Sequence, residues 1–133
     1  MKKALLLQLS LALVLLSSCA KNIHVNYQSD SANTGKVVLK PAEPTNRTYV
    51  TFNDSLLVNK KYVKSVTIHN VPSGEHHVHY TSNNYAYKEK IDGKMTVNVD
   101  NNRVITKLIE VPPYSAGYWI GLLISLPILV FVL

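Results

Sequence analysis

Apolar material at both ends constrains this chain more than any other feature. Ala4 to Leu16 is interrupted only by Gln8 and Ser10, and no charged residue follows Glu110. Once both ends are set aside, roughly 90 residues remain for a folded body, enough for one core with little to spare. The chain has one cysteine, Cys19, so no intrachain disulfide can help hold that body together. Packing and anchoring must do so.

At the N-terminus, Met1-Lys2-Lys3 and the apolar run have the layout of an export signal. The run is too short to be a comfortable membrane span. It ends in Leu16-Ser17-Ser18-Cys19. An aliphatic residue, two small residues and a cysteine resemble the lipobox of bacterial lipoproteins. Small side chains admit the backbone to a peptidase, and the thiol is the group that receives diacylglycerol. The resemblance implies a signal peptide over residues 1–18 and a lipidated tether over 19–35. Cys19 then carries diacylglycerol and a fatty acyl chain, and no other cofactor is implied. Ala20 replaces the Asp that commonly causes inner-membrane retention, which points to the outer membrane.

At the other end, Ala116 to Leu133 contains only Gly, aromatic and aliphatic residues apart from Ser125 and Pro127. A helix of that length is about 27 Å long, close to a hydrocarbon core of about 30 Å. Tyr114, Tyr118 and Trp119 stand where an aromatic belt would lie. Residues 112–133 are therefore expected to form a transmembrane segment, with Pro112-Pro113 as a stiff joint and a kink at Pro127. A small β domain cannot surround a helix that is apolar on every face. Such a helix favours the inner membrane, so the two ends point to different membranes of the cell envelope. Packing of the tail in a protein partner, as a subunit of a membrane complex, is an alternative.

The formal charge of +6 becomes +4 without Lys2 and Lys3. A mildly basic surface suits membrane lipid, or another envelope protein or polymer of acidic character. The basic residues are scattered, so nucleic acid is not an expected partner. Asn46-Arg47-Thr48 and Asn53-Asp54-Ser55 have the glycosylation pattern, but chance alone supplies such tripeptides in an Asn- and Thr-rich chain.

Residues 36–111 read as short strands separated by turn residues. Strands are predicted near Val37–Lys40, Thr48–Phe52, Leu56–Val58, Tyr62–His69, His76–Thr81, Tyr85–Ile91, Met95–Val99 and Val104–Val111, with a short one at Ile23–Gln28. Asn53-Asp54, Asn59-Lys60, Pro72-Ser73-Gly74 and Asp92-Gly93 fall at predicted turns. Asp92-Gly93 is the best local match to a two-residue hairpin, since both residues accept positive φ. Met95, Val97 and Val99 alternate with Lys94, Thr96 and Asn98, giving one buried and one wet face. The same alternation places Val78 and Tyr80 inward with His76. No long helical period appears. The expected fold class is all-β, a small immunoglobulin-like β-sandwich.

Ile68-His69-Asn70-Val71-Pro72-Ser73-Gly74-Glu75-His76-His77-Val78 resembles a segment of PEGA-type and carboxypeptidase-regulatory-like β-sandwich domains. There an apolar residue precedes Pro-x-Gly and an alternating strand follows. Tyr49 to Asp54 resembles their earlier strand and turn, and Asn84-Tyr85 stands where they often have Gly-Tyr. The resemblance spans about Val37 to Val99. It implies a surface-associated binding or spacer module without catalysis.

One cluster has donors for metal chemistry. His77 and His79 share a strand face, and His69 precedes them across the Pro72–Gly74 turn. If the flanking strands pair, the three imidazoles can meet at zinc or copper. Lys60, Lys61 and Lys64 form the densest basic group, suited to headgroup contact or to protecting a sheet edge. No nucleophile elbow, phosphate loop or carboxylate pair is present, so no enzyme is expected. The function expected from sequence is a non-enzymatic, membrane-anchored envelope lipoprotein. Its rival is a metal-binding lipoprotein using His69, His77 and His79.

Overall fold

The computed structural model describes residues 19–27 and 32–123. Seven strands form the body: β1 Lys21–Asn26, β2 Thr34–Pro41, β3 Thr45–Phe52, β4 Ser55–Pro72, β5 Gly74–Ser82, β6 Ile91–Val99 and β7 Val104–Ile109. One short helix, α1, covers residues 116–123. The class is all-β, as the alternation predicts. The strand order is β6-β5-β3-β4-β2-β7, with β1 added to β4.

β4 organises the molecule. Its first half, Ser55 to Val63, pairs antiparallel with β3. Its second half pairs parallel with β1 and antiparallel with β2. β5 and β6 extend the first group, and β7 joins β2 in parallel. Two sub-sheets thus share one strand, β4-β3-β5-β6 and β1-β4-β2-β7. The contacts of β6 with β7 and β2 fold one over the other.

The fold is a bend within β4. Lys60 has φ 48° and Arg47, near the start of β3, has φ 47°. Between them the β3–β4 register slips at Thr45/Thr48 and Thr48/Val50. Such irregularities sharpen the twist and turn a strand out of its plane. The start and the finish of β4 then come together. Phe52, paired with Ser55, meets Tyr27 edge-on at 5.2 Å and stacks on His76 at 5.0 Å. His76 in turn donates from Nε2 to the Pro72 carbonyl at 2.7 Å.

Valine and isoleucine at alternate positions fill the space between the sub-sheets. Val37, Leu39, Val50, Phe52, Val63, Val66, Ile68, Val71, Tyr80 and Val97 are fully buried in one cluster. Each is worth about 1.5–3 kcal/mol on burial. The fully buried phenol of Tyr80 is satisfied by Thr45, whose hydroxyl lies 2.8 Å from that of Thr48.

Several local expectations are corrected. Leu56–Val58 and Tyr62–His69 are one strand, because the left-handed residue at Asn59-Lys60 bends the chain without closing a hairpin, and the two halves pair with different neighbours instead of with each other. Asp92-Gly93 is not a turn; Asp92 pairs with Thr81 and Gly93 with Tyr80 inside β6. The period of two runs unbroken through Ile91, Gly93, Met95, Val97 and Val99, and it outweighs the local dipeptide. Residues 83–90 are a loop outside the named strands, with an isolated bridge at Tyr87. The hairpin with two left-handed residues is Asn53-Asp54, at φ 46° and 64°. Part of the segment read as tether belongs to the sheet: β1 lies within it, and β2 begins at Thr34.

The signal-peptide prediction for residues 1–18 lies outside the described residues. Of the segment 112–133, residues 112–115 are non-helical and α1 begins at residue 116. Among the described residues no helix is long and apolar enough to cross a membrane. Residues 124–133 lie outside the described region.

Candidate functional site

The two ends of the described chain meet at one end of the sheet. Lys21, two residues after Cys19, pairs with Val63, and Val63 also pairs with Thr45. Pro41 pairs with Ile109, the last residue of β7, whose carbonyl accepts the Ala42 N–H at 3.0 Å. Chain entry at Cys19, the bend of β4 and chain exit toward α1 therefore share this end. The opposite end carries the Asn53-Asp54 hairpin, the Pro72–Gly74 connection and residues 100–103.

An aromatic clasp fixes the exit. Ser115 donates its N–H to the Ala86 carbonyl at 2.7 Å, and Lys88 donates to that of Pro113 at 3.0 Å. Tyr87 lies 5.3 Å from Tyr114 between ring centroids, and Tyr114 stacks on Tyr118 at 4.6 Å. Trp119 packs edge-on against both Tyr114 and Tyr118. Tyr114 donates to Glu43 Oε2 at 2.8 Å, and this bond with the carboxylate's charge pushes its phenol up to about 12. Burial likewise raises Tyr87, which donates to the Pro44 carbonyl at 3.2 Å. An open hollow of about 500 Å³ lies against this clasp, lined in part by Tyr62, Tyr87, Tyr114 and Tyr118.

Cations ring the same end. Lys60, Lys61 and Lys64 are all exposed, beside the half-exposed ring of Tyr62. The Arg47 guanidinium lies 4.9 Å from the ring centre of Tyr85 and donates to its hydroxyl at 3.0 Å. Beyond the clasp, α1 exposes Trp119, Ile120, Leu122 and Leu123. Basic side chains, amphipathic aromatics and then bare aliphatics follow one another toward the chain exit. Aromatic residues favour that order at a membrane interface because each has an apolar body and a polar tip. The predicted Lys group, which flanks Tyr62, is thus brought next to the aromatic clasp, an adjacency that depends on the bend of β4.

The histidines are dispersed. β4 and β5 do not pair, since β3 lies between them. His69 is therefore separated from His77 and His79, and the hairpin that was to join them is absent. His79 donates from Nε2 to Asp92 Oδ1 at 2.6 Å, a bond that lowers the Asp92 carboxyl below its ordinary value. His77 Nδ1 lies 3.3 Å from Thr96 Oγ1. His76 is buried, as expected of a residue facing inward with Val78 and Tyr80. Asn53 donates its amide to His76 Nδ1 at 2.8 Å. His69 instead meets His24 of β1, with Nε2 of His69 3.1 Å from Nδ1 of His24. Among the described residues no group of three or more His, Cys, Asp and Glu is placed to hold a metal. Sequence reasoning missed His24 because its neighbour lies across a parallel pairing that no local spacing reveals.

Cys19 is exposed and free of any disulfide. No protein-family model matches the chain, and no curated protein matches it.

Proposed function

We propose that this chain is a non-enzymatic, membrane-anchored lipoprotein of the bacterial cell envelope, held to one bilayer at two points. Lipid on Cys19 is the first attachment, and the apolar segment that begins with α1 is the second. The body is an immunoglobulin-like sandwich of the PEGA-type kind, serving as a binding or spacer module. The observation that carries this reading is that Cys19–Lys21 and the exit through Tyr114 lie at one end of the sheet. Two anchors at opposite ends would demand a long flexible return. Here both reach the same surface directly, and Lys60, Lys61, Lys64 and Arg47 surround them. These cations face anionic headgroups in this arrangement. Two moderate attachments on one body also combine, because the second operates at the high effective concentration set by the first.

The test uses the full-length chain produced in a bacterium. Mass spectrometry of its N-terminal peptide should find Cys19 as the first residue, carrying diacylglycerol and an acyl chain. Trp119, the only tryptophan, should be quenched by lipids brominated high in the acyl chain. An unmodified Cys19, or a Trp119 that aqueous iodide quenches as freely as free tryptophan, would overturn the reading.

A further inference from the structure

β1 is held to the body along one edge only. It runs parallel to β4 from Asn22↔Ser65 to Asn26↔His69, with a register slip between Lys21 and Asn22. Ile23 and Val25 pack on the core, while Asn22, His24 and Asn26 alternate with them and are exposed. His24 stands opposite Thr67, and His69 is two residues further along β4. Both imidazoles are on the outer face, their rings stacked at 5.4 Å and 26° apart in plane.

The 3.1 Å between His24 Nδ1 and His69 Nε2 is informative in itself. At that distance one ring nitrogen donates its N–H and the other accepts with its lone pair, the roles set by the two tautomers. A metal ion can take the place of that proton. Two nitrogens bound about 2.05 Å from one ion are about 2.9 Å apart at a right angle and about 3.3 Å apart at the tetrahedral angle. The observed separation falls inside this range, so the two nitrogens already have the spacing of a shared ion, and rotation of the two exposed rings about their side-chain bonds turns both lone pairs toward it. Solvent water can fill the remaining positions, because the site is open. Paired imidazoles suit zinc, copper and nickel; calcium and magnesium seek oxygen.

We propose that His24 and His69 together bind one divalent transition-metal ion and so staple β1 to β4. The two ligands are 45 residues apart, so the unfolded chain does not present them together. The ion therefore favours the state in which β1 is docked. β1 is also the first strand after Cys19. In the anchored arrangement any load from the lipid enters the domain through it, and the ion fastens the strand that bears the load. Metal uptake itself does not rest on that arrangement, and lipidation can fail with this site intact.

The test is zinc titration of the metal-free full-length chain in detergent, by calorimetry, with hydrogen exchange on the same samples. Saturable 1:1 uptake at submillimolar zinc is expected, with slower exchange at residues 22–26. His24→Ala and His69→Ala should each weaken uptake at least tenfold and abolish the added protection. Both side chains are outside the core, so the variants keep their fold, which circular dichroism checks. The double variant His77→Ala/His79→Ala should bind as the parent does. No saturable uptake, or uptake that survives His24→Ala but fails in the double variant, would overturn the site. Uptake without slower exchange in β1 would overturn the staple.

Discussion

Gly35 gives the sharpest test of how the two sub-sheets close. It is buried at the start of β2, where the β6–β7 connection crosses over it. A Cβ placed there meets Val99 Cγ1 at 2.6 Å and the carbonyl oxygens of Asp100 and Arg103 at 2.7 and 2.8 Å. Two of the three obstacles are backbone, so they cannot rotate away. The Arg103 carbonyl also accepts the Lys36 N–H at 2.8 Å, and the Asn102 N–H donates to the Thr34 carbonyl at 2.9 Å. Displacing this connection loosens those bonds. Overpacking costs about 1–3 kcal/mol, and one or two weakened hydrogen bonds cost about 1 kcal/mol each. Gly35→Ala should therefore destabilise the domain by roughly 2–4 kcal/mol, out of a total near 5–14 kcal/mol for a body this size.

Two other glycines serve as controls. At Gly93 the nearest atoms to an added Cβ are 3.8 Å away, so Gly93→Ala should stay within about 0.5 kcal/mol of the parent. At Gly74 nothing lies within 4 Å, but φ is +129°, so Gly74→Ala pays in backbone strain of about 1–3 kcal/mol. The assay is urea unfolding of the full-length chain in detergent, followed by circular dichroism. The midpoint should shift with the slope unchanged. A Gly35→Ala variant within about 0.5 kcal/mol of the parent, or a Gly93→Ala variant as damaged as Gly35→Ala, would refute the steric account.

Three further outcomes are expected. Tyr114 has its pKa raised from 10.0 to about 12, so the clasp's contribution is complete below pH 10 and is lost as pH climbs toward 12; in ultraviolet titration Tyr114→Phe should delete one late-ionising phenol, and a loss centred at 10 would contradict the Glu43 contact. Asp92 has a lowered pKa, so its advantage over Asp92→Asn is present above pH 3.8 and fades as pH falls through the depressed value; thermal midpoints that still differ in strong acid would count against the His79 bond. Asn53 sits at φ 46° and its side chain accepts the His77 N–H at 2.9 Å while donating to His76, so Asn53→Ala should cost about 2–3 kcal/mol in the same urea assay.

Periodicity made the body legible in sequence. Val78 and Tyr80, and Val97 and Val99, face inward as their alternation predicts, because a buried face fixes register. Turn chemistry was less reliable. Asp92-Gly93 has the residues of a hairpin and lies within a strand, whereas Asn53-Asp54 lacks glycine and forms one. A turn dipeptide expresses a preference of about 1 kcal/mol, and a ladder of nine paired positions outweighs it. The neighbourhood of His69 was illegible for another reason. Which strand lies beside β4 depends on pairings between distant segments, and the chain inserts β3 between β4 and β5 and adds β1 in parallel. The residue types of a candidate site can be read one by one, but their meeting cannot.

The bend at Lys60 has a consequence for where the chain leaves the domain. Starting from the end at Cys19, β1 runs away from it, β2 returns, and β3 runs away again. β4 returns from Ser55 to the bend and then runs away from Val63 to Pro72. β5 returns, β6 departs, and β7 brings the chain back at Ile109. Seven strands thus make eight passes. An even number returns the chain to the end from which it started; an odd number does not. Had β4 run straight, α1 would leave from the side opposite Cys19, and two anchors could not share a bilayer without a linker as long as the domain. The left-handed backbone of Lys60 and Arg47 costs about 1–2 kcal/mol at each residue. A glycine at residue 60 would adopt that φ without the penalty. Lysine there combines the bend with a cation at the end that holds both Cys19 and the chain exit. Lys60→Gly should therefore raise stability while removing, under the proposed anchoring, one headgroup contact. Lys61→Gln removes a cation with no such backbone relief, so it should leave stability unchanged while reducing protection of the bend in anionic bilayers. Equal stability in these two variants would show that residue 60 pays no conformational penalty, and the bend would then need another cause.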